Sequence, residues 1–320
     1  MKAILSIDQF TEGNSIQGFY LCIEKHIRIT RTKDQYLDLV LRDRTGQISA
    51  KIWDKVDEYR DKFEAGDPVA VSGNVDMYLD RQQLVVKKIN RASVQYYGRY
   101  GYDPALIVPA SEYDPNELWK NAVEIIRSIN NSHLKSLVSK IYKTHKDRIM
   151  IHPASVMMHH NYRSGFLEHI LSMAKVAQHL AGHYDVDYDL LLAGVFLHDI
   201  GKLREIESDL EIEYTTEGNF IGHIVLGRDM VRESASTLNA FPQELLQKLD
   251  HMILAHQGRY EWQSPVRPKI KEALLLHYID NMDAKLNLFD KAIEEDHEPG
   301  EWTDRRNYFR LNLFKGDHDG

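Results

Sequence analysis

The stretch LLAGVFLHDIGKLRE, Leu191–Glu205, runs from an apolar segment straight into His198 and Asp199, followed by Ile200, Gly201 and Lys202. A helix this apolar faces a core, and a histidine and an aspartate are costly in a core unless a charge or a metal answers them. The partner has to come from elsewhere in the chain.

The segments around this stretch have helical periodicity: ELWKNAVEIIRSINNSHLKSLVSKIYKTH, GFLEHILSMAKVAQHLAGHY, GHIVLGRDMVRESASTL, PQELLQKLDHMILAHQG and KIKEALLLHYIDNMDAKLNLF. Pro242 stands at a helix start and Gly258 just past a helix end, as capping chemistry prefers. Residues 118–296 therefore read as an all-α domain, and the aromatic-dotted tail 297–320 as a strap packed on it. The first part differs. From Ile16 to Ser93 apolar residues alternate with period two, as with Leu37, Leu39 and Leu41, then Ile48, Ala50 and Ile52. Such alternation marks half-buried strands. Five strands, with a short helix at VDEYRDKFEAGD between the third and fourth, follow the order of a small all-β OB barrel over residues 1–95. The Gly-, Pro- and Tyr-rich run from Tyr96 to Pro115 has no period, and residues 96–117 read as a linker.

At 320 residues the chain suits two domains. Its net charge of −8 argues against a protein coated in positive charge for nonspecific nucleic-acid binding. The charge is uneven: residues 1–95 hold 15 Lys+Arg against 14 Asp+Glu, and the remainder 25 against 34, so the acidity lies where carboxylates could hold metal. The single cysteine, Cys22, forms no intrachain disulfide and reads as a small apolar residue. MKAILSIDQF fits neither a signal nor a transit peptide, and no apolar run approaches a membrane span. The expectation is a soluble, cytoplasmic protein with no membrane partner.

Sixteen histidines are many, and several sit in apolar helices. One histidine on an apolar face is ordinarily a satisfied core residue. The series His169, His198, His223 and His256, with Asp199 and Asp280, is a different matter, because imidazoles and carboxylates delivered from separate helices are what a divalent transition metal takes. Neighbouring His198 and Asp199 diverge by only about 100° on a helix, so both reach one centre. An aspartate can also bridge two ions, the arrangement used for in-line phosphoryl displacement. His251 is offset by five residues from His256, which puts it on another face, at the surface or behind the ligands.

HDIGK within the order H…HD…H…H…D resembles the His-Asp (HD) phosphohydrolase superfamily. With the OB-like front domain, HHNYRSGFLEH, ILAHQG and HYIDNMDAK, nearly the whole chain resembles the YhaM-type 3′→5′ exoribonucleases of Gram-positive bacteria. The resemblance implies that residues 118–296 form an HD phosphohydrolase domain. It makes His169, His198, Asp199 and Asp280 ligands of the core metal, with Asp199 bridging and catalytic, and His223 and His256 ligands of a second ion. It points to Mn²⁺, two ions per subunit, with Fe²⁺ or Co²⁺ also suited to a histidine-rich set. Family members commonly carry two adjacent histidines where this chain has His256 and Gln257; the first is taken as the ligand.

Lys202, one turn after the metal pair, is a candidate catalytic and substrate-binding residue that could neutralise a phosphate oxygen, or else a cation placed to suit a helix dipole. Arg163, Ser164 and Arg267 are substrate-binding candidates, and His159 and His160 either line the same pocket or cap a loop. In the barrel, Phe19, Tyr20, Tyr36, Trp53 and Tyr78 could stack bases while Arg28, Arg31, Lys33, Arg42 and Lys51 track phosphates; strand parity sends some of these aromatics into the core. The implied function is metal-dependent release of nucleoside 5′-monophosphates from the 3′ end of single-stranded RNA, with single-stranded DNA a second substrate, by metal-activated hydroxide attack on the terminal phosphodiester. The alternatives are an HD phosphodiesterase acting on cyclic dinucleotides or free nucleotides, and a non-catalytic OB-fold binding protein. A homo-oligomer would let the modest charge of each barrel sum to an effective binding surface.

Overall fold

A computed structural model describes residues 4–79, 81–208, 210 and 212–316, and the chain falls into two compact units that part after Ala110. In the first, β1 (Ser15–Ile29), β2 (Gln35–Arg42), β3 (Gln47–Ile52), β4 (Pro68–Tyr78) and β5 (Arg81–Arg91) close a barrel in the order β1-β2-β3-β5-β4, and one turn of helix, α1 (Val56–Tyr59), joins β3 to β4. The period-two alternation is the cause of the inner face. Leu37, Leu39 and Leu41 pair with Ile52, Ala50 and Ile48 across β2 and β3, and all six are buried. Parallel pairing of Ser49–Lys51 with Gln83–Val85 closes the ring. Cys22 is part of the barrel core, an apolar role consistent with its fully buried position.

The segment taken for a linker is, in its first half, part of this unit. Helix α2 (Val94–Tyr97) and the turns after it bring Tyr102, Ile107 and Val108 against Phe19, Leu21 and Ala92 on the outside of the barrel, where all six are buried. Its periodicity was unreadable because short turns, each contributing one or two apolar contacts, replace a regular element.

The second unit is helical: α3 (Pro115–Ser128), α4 (Ser132–Thr144), α5 (Lys146–Ile149), α6 (Gly165–Ala181), α7 (Tyr188–Leu197), α8 (Lys202–Glu205), α9 (Thr216–Ile221), α10 (His223–Ser236), α11 (Gln243–Ala255) and α12 (Lys271–Glu294). A two-stranded ribbon of β6 (Ile206–Glu207) and β7 (Glu213–Tyr214) lies between α8 and α9. Helix α7 is the hub, buried from Leu190 to Leu197 on every side and packed by α4, α6, α11 and α12. A helix apolar all round has to be central. It is started by Asp187, whose side chain accepts the Leu190 N–H at 3.0 Å. Helices α6, α11 and α12 pack around it, and with them His169, His256 and Asp280 come to where α7 stops, at His198.

After α12 the tail returns along its own unit. Trp302 bridges Phe314, Thr303 and Leu313 are buried, and the Phe309 ring lies 5.6 Å from Phe289 of α12. No helix is long and apolar enough to cross a membrane among the described residues.

Candidate metal centre

Six residues from five parts of the helical unit meet at the end of α7. His198 closes that helix and donates Nδ1–H to the Val195 carbonyl at 2.9 Å, which aims Nε2 outward, 3.3 Å from Asp199 Oδ2 and 3.9 Å from Asp280 Oδ1. His169 of α6 faces Asp280 Oδ1 at 3.4 Å through Nε2. On the other side of Asp199, Oδ1 lies 3.6 Å from His223 Nε2 and 3.5 Å from His256 Nε2. Two groups result: His169, His198, Asp199 and Asp280, then Asp199, His223 and His256, with the Asp199 carboxylate between them.

Most of the inner nitrogens, and one Asp199 oxygen, have no hydrogen-bond partner in the protein. Among the described residues nine buried side-chain nitrogens or oxygens lack a hydrogen bond; four belong to this cluster, Nε2 of His169, His198 and His223 and Oδ1 of Asp199, and a fifth is Nε2 of His159 beside it. Buried polar atoms are normally paired, so a concentration of lone-pair donors aimed at one another signals a cation. The residues fit divalent transition metal.

The outer ring nitrogens, by contrast, are all engaged, which fixes the tautomer that presents Nε2. Asp283 Oδ2 accepts from His169 Nδ1 at 2.7 Å and is 3.1 Å from His160 Nε2. Glu205 Oε1 accepts the His223 amide at 2.9 Å and its Nδ1 at 3.0 Å. The Ile253 carbonyl takes His256 Nδ1 at 2.7 Å. Asp283 and Glu205 were not picked out from the sequence. Their one signal is spacing, Asp283 standing three residues after Asp280 on α12 and Glu205 three after Lys202.

Electrostatics follow from this enclosure. Burial pushes His256 down to about 4, so it is a neutral imidazole ready to coordinate. Burial works against the cation at His169 too, but Asp280 and Asp283 on either side of the ring outweigh it and raise it to about 9. Burial disfavours the Asp199 anion, yet His198 and Lys202 hold its carboxyl well below the usual range. A metal on His169 Nε2 displaces the proton that the metal-free ring keeps below pH 9, so Mn²⁺ affinity should rise about tenfold per pH unit from 6 towards 9 and then level. Titration calorimetry in buffers of different ionisation enthalpy would detect the released proton; flat affinity between pH 6 and 8 would count against a His169 ligand.

Lys202 is buried and donates to Asp199 Oδ2 at 2.5 Å, on the wall of a cleft of about 580 Å³ that also exposes His159, Asp199, His223, Trp262, Asp280 and Tyr308. Gln257 lines this cleft, its Nε2 3.1 Å from His256 Nε2. Ser164 is buried at the start of α6, its hydroxyl donates to the Met150 carbonyl at 2.7 Å, and it is not among the residues lining the cleft. Arg163 accepts the Ser111 amide on its carbonyl, and neither Arg163 nor the exposed Arg267 lines the cleft. His251 accepts the Lys269 amide at 2.9 Å, away from the centre.

On the barrel, Trp53 and Tyr36 stack at 4.7 Å beside Lys51, Tyr78 and Arg81 in an open cleft, with Trp53 46% and Tyr78 64% exposed. Arg28 pairs with Asp38 at 2.8 Å, and Arg31 and Lys33 are exposed on the β1–β2 turn. Phe19 corrects the sequence reading. It is buried against Tyr97 and Tyr102, packed by the segment taken for a linker, with only 7% of its surface exposed. Tyr20 is buried as well, inside the barrel.

The HD domain family matches residues 166–285, and the OB-fold nucleic acid binding domain family matches residues 25–92. Over 294 residues the chain is 36% identical to the 3′-5′ exoribonuclease YhaM of Bacillus subtilis (strain 168), covering 92% of each chain. The chain belongs to the YhaM family of 3′-5′ exoribonucleases. The YhaM proteins of Halalkalibacterium halodurans, 32% identical over 94% of both chains, and Shouchella clausii, 34% identical over 92% of this chain and 90% of that one, are similar in the same way. The YhaM-family HD match contains all six residues that meet at the end of α7, and the OB match contains the Tyr36–Trp53 stack.

Proposed function

We propose that this YhaM-family chain is a divalent-metal-dependent exoribonuclease. It releases nucleoside 5′-monophosphates from the 3′ end of single-stranded RNA and accepts single-stranded DNA as a second substrate, with Mn²⁺ as the working ion at two sites. The observation that carries the reading is the set of unpartnered Nε2 and Oδ1 atoms gathered at a cleft that Asp199, His223 and Asp280 line. His169, His198, Asp199 and Asp280 would hold one ion, and Asp199, His223 and His256 the other. Bound there, divalent metal supplies Lewis acidity, making water acidic enough to attack near neutral pH and offsetting charge on the phosphoryl oxygens.

The chain's own residues do the rest. Asp283, Glu205 and the carbonyls of Val195 and Ile253 hold the four imidazoles in one orientation, so no reorganisation is needed during the reaction. Lys202 fixes the Asp199 carboxylate and places its positive charge on the cleft wall, where a phosphate enters. On the barrel, Tyr36, Trp53 and Tyr78 offer ring faces to bases, and Arg31 and Lys33 offer charge to phosphates.

The test is incubation of the Mn²⁺-loaded protein with 5′-labelled single-stranded RNA, with single-stranded DNA and cyclic dinucleotide in parallel. A ladder shortened from the 3′ end with mononucleotide products supports the reading; turnover of the cyclic dinucleotide alone would replace it. Trp53→Ala should remove one stacking platform, worth about 1–3 kcal/mol per base. KM for long RNA should therefore rise ~5–150-fold with kcat little changed, and equal KM values by steady-state assay would remove Trp53 from the binding surface.

A further inference from the structure

We propose that His159 is a fifth protein ligand to the ion held by His169, His198, Asp199 and Asp280, an inference that rests on the metal-centre reading above. His159 lies in the loop before α6, outside the H…HD…H…H…D order, and its Nε2 is shielded from solvent without a hydrogen bond. Ligand atoms of His159, His169 and Asp280 lie within 4.8 Å of one another, and so do those of His169, His198 and Asp199. His169 belongs to both groups. Its Nδ1 is engaged by Asp283, which leaves Nε2 with a single lone pair that serves one ion only. The two groups therefore converge on one centre instead of describing two.

The loop is built to deliver this ring. The Ser155 hydroxyl donates to the His159 carbonyl at 2.8 Å, and the Ala154 amide to the His160 carbonyl at 3.0 Å. Asn287 of α12 accepts the His160 amide at 2.8 Å, and Asp283 of the same helix accepts from the His160 ring. At the start of α6, Gly165 lies so close that a Cβ there would come within 2.2 Å of the His160 carbonyl oxygen. Both helices that supply His169 and Asp280 thus pin the loop that carries His159.

Five protein ligands would nearly close the first site, whereas Asp199, His223 and His256 give the second only three. Closed sites hold metal structurally and open ones present it to substrate. The first ion then anchors the centre, and the second faces the scissile phosphate.

The experiment is Mn²⁺ titration of the chelator-stripped full chain, read by calorimetry and by metal content. Wild type should show a tighter and a weaker class. His159→Ala should weaken the tighter class at least tenfold, leave the weaker within threefold, and leave metal-free melting unchanged; Asp199→Ala should weaken both. If Asp199→Ala loses its ions while His159→Ala binds both as wild type does, this proposal alone falls. If Asp199→Ala also binds both normally, the metal-centre reading falls with it. Where the alanine variant does not fold, His159→Gln preserves most of the volume and should show the same selective weakening. In addition, wild type with Co²⁺ in the tighter class should give the weak visible bands of five- or six-coordination, and intense tetrahedral bands would overturn the proposal.

Discussion

Replacing Asp199 by alanine is expected to abolish RNA hydrolysis, lowering kcat by ~10³-fold or more, which is about 4 kcal/mol of transition-state stabilisation. The size follows from position. Asp199 is the one carboxylate whose two oxygens face both groups, Oδ2 beside His198 and Oδ1 beside His223 and His256. Its loss should deplete both ions together, measured as metal content after gel filtration. A second consequence separates chemistry from folding. Lys202 is buried and its ammonium bonds Asp199 Oδ2, so the alanine variant leaves a buried charge unpaired, an effect of about 3–5 kcal/mol. The double variant Asp199→Ala/Lys202→Met removes both charges and should melt close to wild type while remaining inactive. Turnover within tenfold of wild type in either variant would mean that the centre lies elsewhere.

Gly201→Ala should be nearly as damaging, for a reason of space. The backbone at Gly201 has φ −64° and ψ −21°, which alanine adopts freely. A Cβ there, however, would meet the His223 carbonyl oxygen at 2.0 Å and the Gly227 nitrogen at 2.4 Å, both backbone atoms of α10. Neither can swing aside, so the start of α10 must move, and His223 is its first residue. We expect about 1–3 kcal/mol of destabilisation from overpacking, together with loss of the second ion as His223 leaves Asp199. Gly182→Ala is the control: it lies at the end of α6 with φ −72°, and a Cβ there meets nothing closer than 3.6 Å. Thermal melting and a Mn²⁺ isotherm check both variants, and a Gly201→Ala protein that melts and binds metal as wild type does would refute the argument.

Much of the fold was legible because its patterns are local. Leu37, Leu39 and Leu41 mark an inner strand face by alternation alone, and an apolar run from Leu190 to Leu197 can only be a central helix. Parity failed at Phe19 because both faces of β1 are covered there, the inner by the barrel core through Tyr20 and Cys22, the outer by Tyr102, Ile107 and Val108. At Ser164 the sequence shows only a serine before a glycine at a helix start; its tie to the Met150 carbonyl is a contact across the fold that no local pattern signals.

The sequence by itself determined the two architectures and the chemical inventory of the centre, because periodicity and residue type are properties of neighbours along the chain. Only the tertiary structure decided which carboxylates orient the histidines, that Lys202 is tied to Asp199, and that Gly201 is a point of contact with α10 and does more than end a turn. Those facts depend on distances between helices far apart in sequence. Among 48 acidic residues nothing local distinguishes Asp283 or Glu205 until packing sets each one against an imidazole nitrogen.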